Sequence, residues 1–318
     1  MSSSASASTT GSASPRFTDD HVRQWREEGF VLIPDFFSAD EIAPILADYE
    51  RIYGLPDPSG SGRARVETDG ESIGAFRPDQ FRNIDQFPYE GGREMNMISM
   101  HPQLIAFARA LLDAPQVHMY QSHTWAKYTG EADYDQVHHC DFSNHTLTVP
   151  SDDVTLRTVD FIIYYTDVTD AHGALHYVTK PDAGKILRPG TVFAPEDKQQ
   201  ALKAVEKSAA APAGTLLAHS IDTFHRGTNL TKPGGHRFTM TVGYKAAGND
   251  MISFHIWQQA AGRNWEAIFR HASPEQLRVI GIPLPGDSFW TERTLKLTRA
   301  RWPEWDMTPY FEAARLTS

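Results

Sequence analysis

Apolar residues first recur at helical spacing. In "SADEIAPILADYERIYG", Ile42, Ile45, Leu46, Tyr49 and Tyr53 share one helical face, Ser38 and Glu41 stand in capping-box spacing, and Gly54 supplies the stop. The preceding "FTDDHVRQWREEGFVLIPDFF" reads as a short helix halted at Gly29 and followed by a strand. The Pro/Gly/Ser content of "LPDPSGSGRAR" predicts a loop, and "PQLIAFARALLDAP" predicts another amphipathic helix. At "QVHMYQSHTWAKY" the period changes to two, and further strand candidates follow around His139 and in "LRTVDFIIYYTDV", "ALHYV", "GTLLAHS" and "RFTMTVGYK". Turns rather than long helices separate most of them, so the pattern predicts an antiparallel sandwich or barrel rather than a parallel α/β sheet. From about residue 250 the chain turns helical and aromatic, with five of its seven tryptophans: Trp257, Trp265, Trp290, Trp302 and Trp305. No linker sets this tail apart, so packing on the barrel is expected rather than a lid over a pocket. No internal repeat is visible.

Composition narrows the class. The 318 residues suffice for one large domain, and no stretch approaches the roughly 18 apolar residues of a membrane span. A formal charge of −10 without a Lys/Arg cluster argues against nucleic acid as a partner. Cys140 is the single cysteine, which excludes an internal disulfide framework and a multi-cysteine zinc site and fits a reducing cytoplasm. Residues 1–16, rich in Ser, Ala and Thr, lack the charged and apolar regions of a secretory signal and read as a disordered leader.

The densest chemistry lies in "VHHCDFSNH". On a strand, side chains two apart share a face, so His139 and Asp141 project together while His138 and Cys140 turn to the other side, toward core or supporting roles. A His-x-Asp pair offers a metal one imidazole nitrogen and one carboxylate oxygen, two of the three ligands in the facial triad of non-haem Fe(II) oxygenases. With 14 histidines in the chain one such pair arises by chance, so a third ligand from another strand is required. "TLLAHSIDTFHRGTNLTKPGGHRFTMTVGYK" offers His219, His225 and His236. Arg237 stands 12 positions beyond His225, at the head of a strand, where a guanidinium can hold the carboxylate of an oxoacid through two parallel hydrogen bonds.

Together these features resemble the phytanoyl-CoA dioxygenase-like family of Fe(II)/2-oxoglutarate oxygenases. The resemblance covers most of the chain from about Phe17: the opening "FTDDHVRQWREEGFVLIPDFFSADEI", the His139/Asp141 pair, "DAHGALHYVTK", the "HRGTN...HR" block and the tail "GIPLPGDSFWTERTL...RWPEWDMTPY". It implies a double-stranded β-helix, or jelly roll, with flanking helices. Residues 17–318 would then form one domain, with a helical part at about 17–113, a jelly-roll core at about 114–247 and a helical aromatic part at about 250–318. It further implies Fe(II), 2-oxoglutarate as cosubstrate and O2, with release of succinate and CO2 as a small organic molecule is oxidised, most often by hydroxylation. On this basis His139, Asp141 and His225 are the iron ligands and catalytic centre, Arg237 grips the distal carboxylate of 2-oxoglutarate, and Gln121, in "YQSH", and Thr228 are further cosubstrate contacts. Asp141 speaks against the halogenating relatives, which carry a small residue there.

Two other readings of the same residues stand beside this one: a non-catalytic metal-binding or sensing jelly roll, for which Arg237 has no use, and a zinc hydrolase with a metal-bound water. The absence of a concentrated basic patch argues against a CoA phosphate as part of the substrate. His123, Trp125 and Lys127 continue the Gln121 face toward a cavity, Asn144 and His145 follow the His-x-Asp pair, and His172 and His176 are expected to bond to backbone.

Overall fold

The computed structural model describes residues 14–56, 84–130, 135–147, 149–257 and 263–316. The leader anticipated at 1–16 lies outside the described residues apart from its last three, and the loop anticipated after Gly54 lies almost wholly outside them. Helix α1 (Asp19–Glu28) is capped by Thr18 and closed by Gly29 at φ 92°. That glycine is required twice over: its conformation is left-handed, and an added Cβ would sit 2.5 Å from Thr223 Oγ1. Helix α2 (Ala39–Tyr53) carries the Ser38/Glu41 capping box and buries Ile42, Ile45, Tyr49 and Tyr53, the face its spacing predicts. A short helix α3 (Arg93–Met97) and helix α4 (Pro102–Leu112) complete the N-terminal helical part.

Among the described residues eight strands form: β1 (Phe30–Ile33), β2 (Val117–Tyr128), β3 (Thr158–Tyr164), β4 (His176–Tyr177), β5 (Lys207–Ser208), β6 (Leu216–His219), β7 (His225–Arg226) and β8 (His236–Ala246); all but the two-residue β5 and β7 fall in predicted stretches. They form two antiparallel sheets, one of five strands in the order β1-β6-β3-β8-β2 and one of three in the order β5-β4-β7. This is the expected jelly roll.

Side-chain alternation sorts the long strands into two faces. On β8, Phe238, Met240, Val242 and Tyr244 join the main apolar cluster, which also takes in Tyr49 and Tyr53 of α2, Leu104 and Phe107 of α4, and Trp265, Trp290, Trp305 and Tyr310 of the tail. Tyr49 fixes α2 to the sheet by donating its hydroxyl to the Thr239 carbonyl at 2.6 Å. The tail packs as expected, with Trp265 edge-on to Phe87 and Trp290, Trp305 and Tyr310 in mutual contact. No helix among the described residues is long and apolar enough to cross a membrane.

Two elements differ from the sequence pattern. Around His139 only two isolated bridges form, one to His225 and one to Phe193. The N–H groups of Asp141 and Phe142 both turn to the Ile221 carbonyl, and Asp141, at φ −90° and ψ −5°, leads into a four-residue helix, Phe142–His145. "ALHYV" yields only two strand residues, because Thr179 caps a new helix, Lys180–Ile186, immediately afterwards.

Candidate active site

The opposite face of the long sheet lines a cavity of about 540 Å³. From β2 come Gln121, His123, Trp125 and Lys127, from β3 Asp160, Ile162 and Tyr164, and from β8 Arg237, Thr239 and Thr241. Register sets them in rows: Lys127 beside Arg237, then Trp125–Thr239–Tyr164, then His123–Thr241–Ile162, then Gln121–Gly243–Asp160–His219. The cavity is therefore polarised along the strands. A guanidinium marks one end, and a carboxyl group with several imidazoles marks the other.

His139, Asp141 and His225 converge on this cavity, with one candidate ligand atom from each lying within 4.8 Å of the others. His139 Nε2 is 3.7 Å from Asp141 Oδ1 and His225 Nε2 is 3.5 Å from Asp141 Oδ2. Each imidazole is fixed from behind: His139 Nδ1 lies 2.9 Å from the Val137 carbonyl and His225 Nδ1 lies 3.1 Å from the Thr223 carbonyl. A carbonyl only accepts, so Nδ1 carries the proton and Nε2 presents its lone pair inward, the tautomer a metal needs. Burial, aided by His225, pushes the His139 imidazole down to about 4. Burial alone would raise the Asp141 carboxyl, but His225 and His139 outweigh it and hold the group at about 2. His139 thus stands ready as a neutral donor and Asp141 as an anionic one.

Arg237 is buried, and its Nε meets no acceptor; among the described residues no carboxylate pairs with it. Burial disfavours its charged form and outweighs the opposing influence of Tyr164 and Tyr177. A desolvated guanidinium without a counter-ion fits a site that receives an anion. Thr239, two residues on, shares its face and lines the cavity.

At the other end a bulge in β2 between Met119 and Gln121 lets both Tyr120 and Gln121 reach Asp160. The Tyr120 hydroxyl donates to Asp160 Oδ1 at 2.8 Å, and Gln121 Nε2 donates to the same oxygen at 2.8 Å. Burial pushes the Asp160 carboxyl up to about 7, against these hydrogen bonds. Gly243 makes the arrangement possible, since a Cβ there would lie 2.4 Å from Asp160 Oδ1 and 2.6 Å from Tyr120 Cε1. Nearby, His145 and His255 stack at 5.5 Å, both edge-on to Tyr120. Burial holds His123 at about 4 and lowers His145 and His255, so this wall consists of neutral imidazoles.

Of the residues singled out from sequence, His139, Asp141, His225, Arg237 and Gln121 share the cavity. Thr228 does not: its hydroxyl donates to the Ala174 carbonyl at 2.7 Å, outside the cavity lining. His219 lines the cavity but lies outside the ligand cluster, its Nδ1 2.6 Å from the Tyr177 hydroxyl. Cys140 and His138 are buried away from the cavity, and burial pushes the Cys140 thiol up to about 12. His172 bonds Thr169 as expected of a turn, whereas His176 faces Glu206 and Asp170 rather than backbone. Asp160, Thr239 and His255 were not singled out. Asp160 had a legible signal, as a lone acid inside the otherwise uncharged β3.

A jelly roll in which two imidazoles and a carboxylate meet in the same cavity as an unpaired buried guanidinium defines a class, the non-haem iron oxygenases that use 2-oxoglutarate. The family model for phytanoyl-CoA dioxygenase (PhyH) matches residues 25–234, well over half of the chain, and the chain belongs to that family. Its cofactors are Fe(II), 2-oxoglutarate and O2, and it is a 2-oxoglutarate-dependent dioxygenase. Similar solved structures include EctD from S. alaskensis with 2-oxoglutarate and 5-hydroxyectoine (16% identity, 81% of this chain and 85% of that one, TM-score 0.55). The non-haem alpha-ketoglutarate-dependent carbocyclase SnoK from nogalamycin biosynthesis is also similar (21%, 80% and 94%, TM-score 0.53). So is the epimerase SnoN in complex with Fe3+, alpha-ketoglutarate and nogalamycin RO (17%, 72% and 83%, TM-score 0.53). At these identities the likeness is one of fold. No curated protein matches the sequence.

Proposed function

We propose that the protein hydroxylates a small polar organic molecule, with His139, Asp141 and His225 holding Fe(II) and Arg237 gripping the distal carboxylate of 2-oxoglutarate. The observation that carries this reading is the Arg237 guanidinium, buried and unpaired among the described residues, lining the same cavity as the three convergent donors. Neither a zinc hydrolase nor a metal sensor gains from an uncompensated buried cation. With the iron, the Asp141 carboxylate, both cosubstrate carboxylates and Arg237 in place, the formal charges in the cavity cancel, which lowers the cost of burying them.

When bound, Fe(II) and 2-oxoglutarate supply oxidative decarboxylation to succinate and CO2, coupled to transfer of one oxygen atom of O2 into a substrate C–H bond. The protein's own residues bind, orient and exclude water. The Val137 and Thr223 carbonyls lock the ligand tautomers. Ile162, Val168 and Leu175 give the cavity an apolar wall that keeps water from the reacting centre. Thr239 takes the small polar role at the Arg237 end for which Thr228 is badly placed. Gln121 lies on the far row, its Nε2 committed to Asp160, and acts on the substrate side. His123, Asn144, His145, Asp160 and His255 face the substrate, and a wall of neutral imidazoles with one carboxyl suits a molecule bearing several hydrogen-bond donors and acceptors. EctD with 5-hydroxyectoine and SnoN with nogalamycin RO are both structures with organic molecules, which supports an organic small molecule as the substrate class. The same reading takes 17–318 as one oxygenase domain, since a single apolar cluster runs from Trp25 to Tyr310.

The test is a screen of small-molecule fractions for stimulated succinate release, comparing wild type with Asp141→Ala. Stimulation by some fraction, lost in the variant, together with a product 16 mass units heavier, is expected. Stimulation that survives removal of the Asp141 carboxylate overturns the reading.

A further inference from the structure

We infer that Glu206, on the far side of the metal-binding segments, positions both histidine ligands and thereby sets the affinity for iron. The inference rests on His139 and His225 being ligands, and it concerns what holds them. Their segments have little backbone ladder of their own: β7 is two residues long, and His139 joins it through one bridge, with N–H to carbonyl distances of 2.9 Å in each direction. Extended neighbours point to opposite faces, so His138 and Arg226, each adjacent to a ligand, project behind the site.

There they meet one carboxylate. Glu206 lies 2.8 Å from His138 Nε2, accepts from Arg226 Nε at 2.9 Å and from Arg226 Nη2 at 2.8 Å, and lies 2.9 Å from His176 Nδ1. Its side chain is 9% exposed, with His138 fully buried and Arg226 at 7%. Gln199 Oε1 holds the second nitrogen of His138 at 3.0 Å, and Asp135 takes the remaining arm of Arg226 at 2.9 Å. His176 pairs with Arg226 across β4 and β7, so a single side chain ties three segments together directly behind the ligand pair. Charge-assisted and forked bonds are the strong ones, and this carboxylate receives a fork plus two imidazoles. An amide of the same size keeps one acceptor oxygen and loses the charge. Freed from that grip, His138 and Arg226 shift, and each is one residue from a donor whose placement defines the metal site. Glu206 touches neither metal nor substrate; it is a positioning residue.

The test titrates apoprotein with Fe(II) without oxygen at saturating 2-oxoglutarate, following the visible charge-transfer absorption, well below the melting temperature of each protein. Glu206→Gln is expected to weaken Fe(II) binding about 10- to 100-fold, the range for residues that orient metal ligands. Glu41→Gln is the control, because Glu41 likewise receives a fork, from Arg16 at 2.9 Å on each arm, but at the N-terminal helix. It should lower the melting temperature and leave Fe(II) affinity within about twofold of wild type. Should Glu206→Gln give no soluble protein, Arg226→Lys keeps the charge, removes the fork and carries the same expectation. Wild-type Fe(II) affinity in the folded variant overturns the inference. An equal loss in Glu41→Gln also overturns it, by showing that general destabilisation is enough. Absence of the band in wild type would instead strike down the ligand assignment, and the positioning role with it.

Discussion

The two sheets hold their functional residues by different means. In the five-stranded sheet β2 and β8 pair along nearly their whole length, so backbone register alone places Arg237, Thr239, Thr241, Trp125 and Gln121 in the cavity. In the three-stranded sheet the strands are two residues long, and the donors at 139, 141 and 225 are set by one bridge, the turn at Asp141 and the side chains behind them. Substitution on the long sheet should therefore alter the local interaction and little else. Substitution behind the short sheet should reach the metal even where no ligand is touched.

The sharpest test on the long-sheet side is Arg237→Gln. Loss of a forked, charge-assisted contact of about 3 kcal/mol should weaken 2-oxoglutarate binding about a hundredfold while leaving Fe(II) binding without cosubstrate unchanged. The same change removes an uncompensated buried charge, so the apoprotein should melt higher than wild type. Calorimetric titration and thermal denaturation read the two effects. A parallel loss of iron affinity would break the distinction between the sheets.

Asp160→Asn comes next. A folded-state value near 7 against about 3.9 in the unfolded chain means that the fold penalises the ionised form. Stability attached to the protonated carboxyl is full below about pH 4 and is lost as the pH rises through 7. Apo Asp160→Asn should therefore exceed wild type in stability by on the order of 2 kcal/mol at pH 8, with the difference fading toward pH 4. Denaturation at both pH values checks the sign, and a constant difference would refute it.

The smallest effect belongs to Thr228→Val. It removes the bond to the Ala174 carbonyl, costing about 1 kcal/mol of stability, and should leave 2-oxoglutarate affinity unchanged. A substantial loss of cosubstrate affinity would return Thr228 to the site.

What was legible in the sequence follows the same division. Long strands announce themselves by alternation, and β2, β3 and β8 lie where the pattern puts them. That His139, Asp141, His225 and Arg237 would meet in one cavity was legible because a metal and a carboxylate demand particular residue types at particular spacings. The place of Thr239 in the cavity lining follows from that of Arg237 by the same alternation that placed the arginine. The short sheet was less legible. Strand alternation separates 138 from 139 correctly, yet the turn at Asp141 arises from backbone bonds to Ile221, a tertiary contact. Glu206, flanked by Val205 and Lys207, looks like ordinary surface charge, and only the meeting of segments 138, 176 and 226 gives it four bonds.

The most direct measurement is a crystal structure prepared without oxygen in the presence of Fe(II) and 2-oxoglutarate, with anomalous scattering recorded at the iron edge. The account predicts one iron peak within coordination distance of His139 Nε2, an Asp141 oxygen and His225 Nε2, with the distal cosubstrate carboxylate forked on Arg237. Iron bound through His219 in place of His225, or a cosubstrate carboxylate lying away from Arg237, would contradict it.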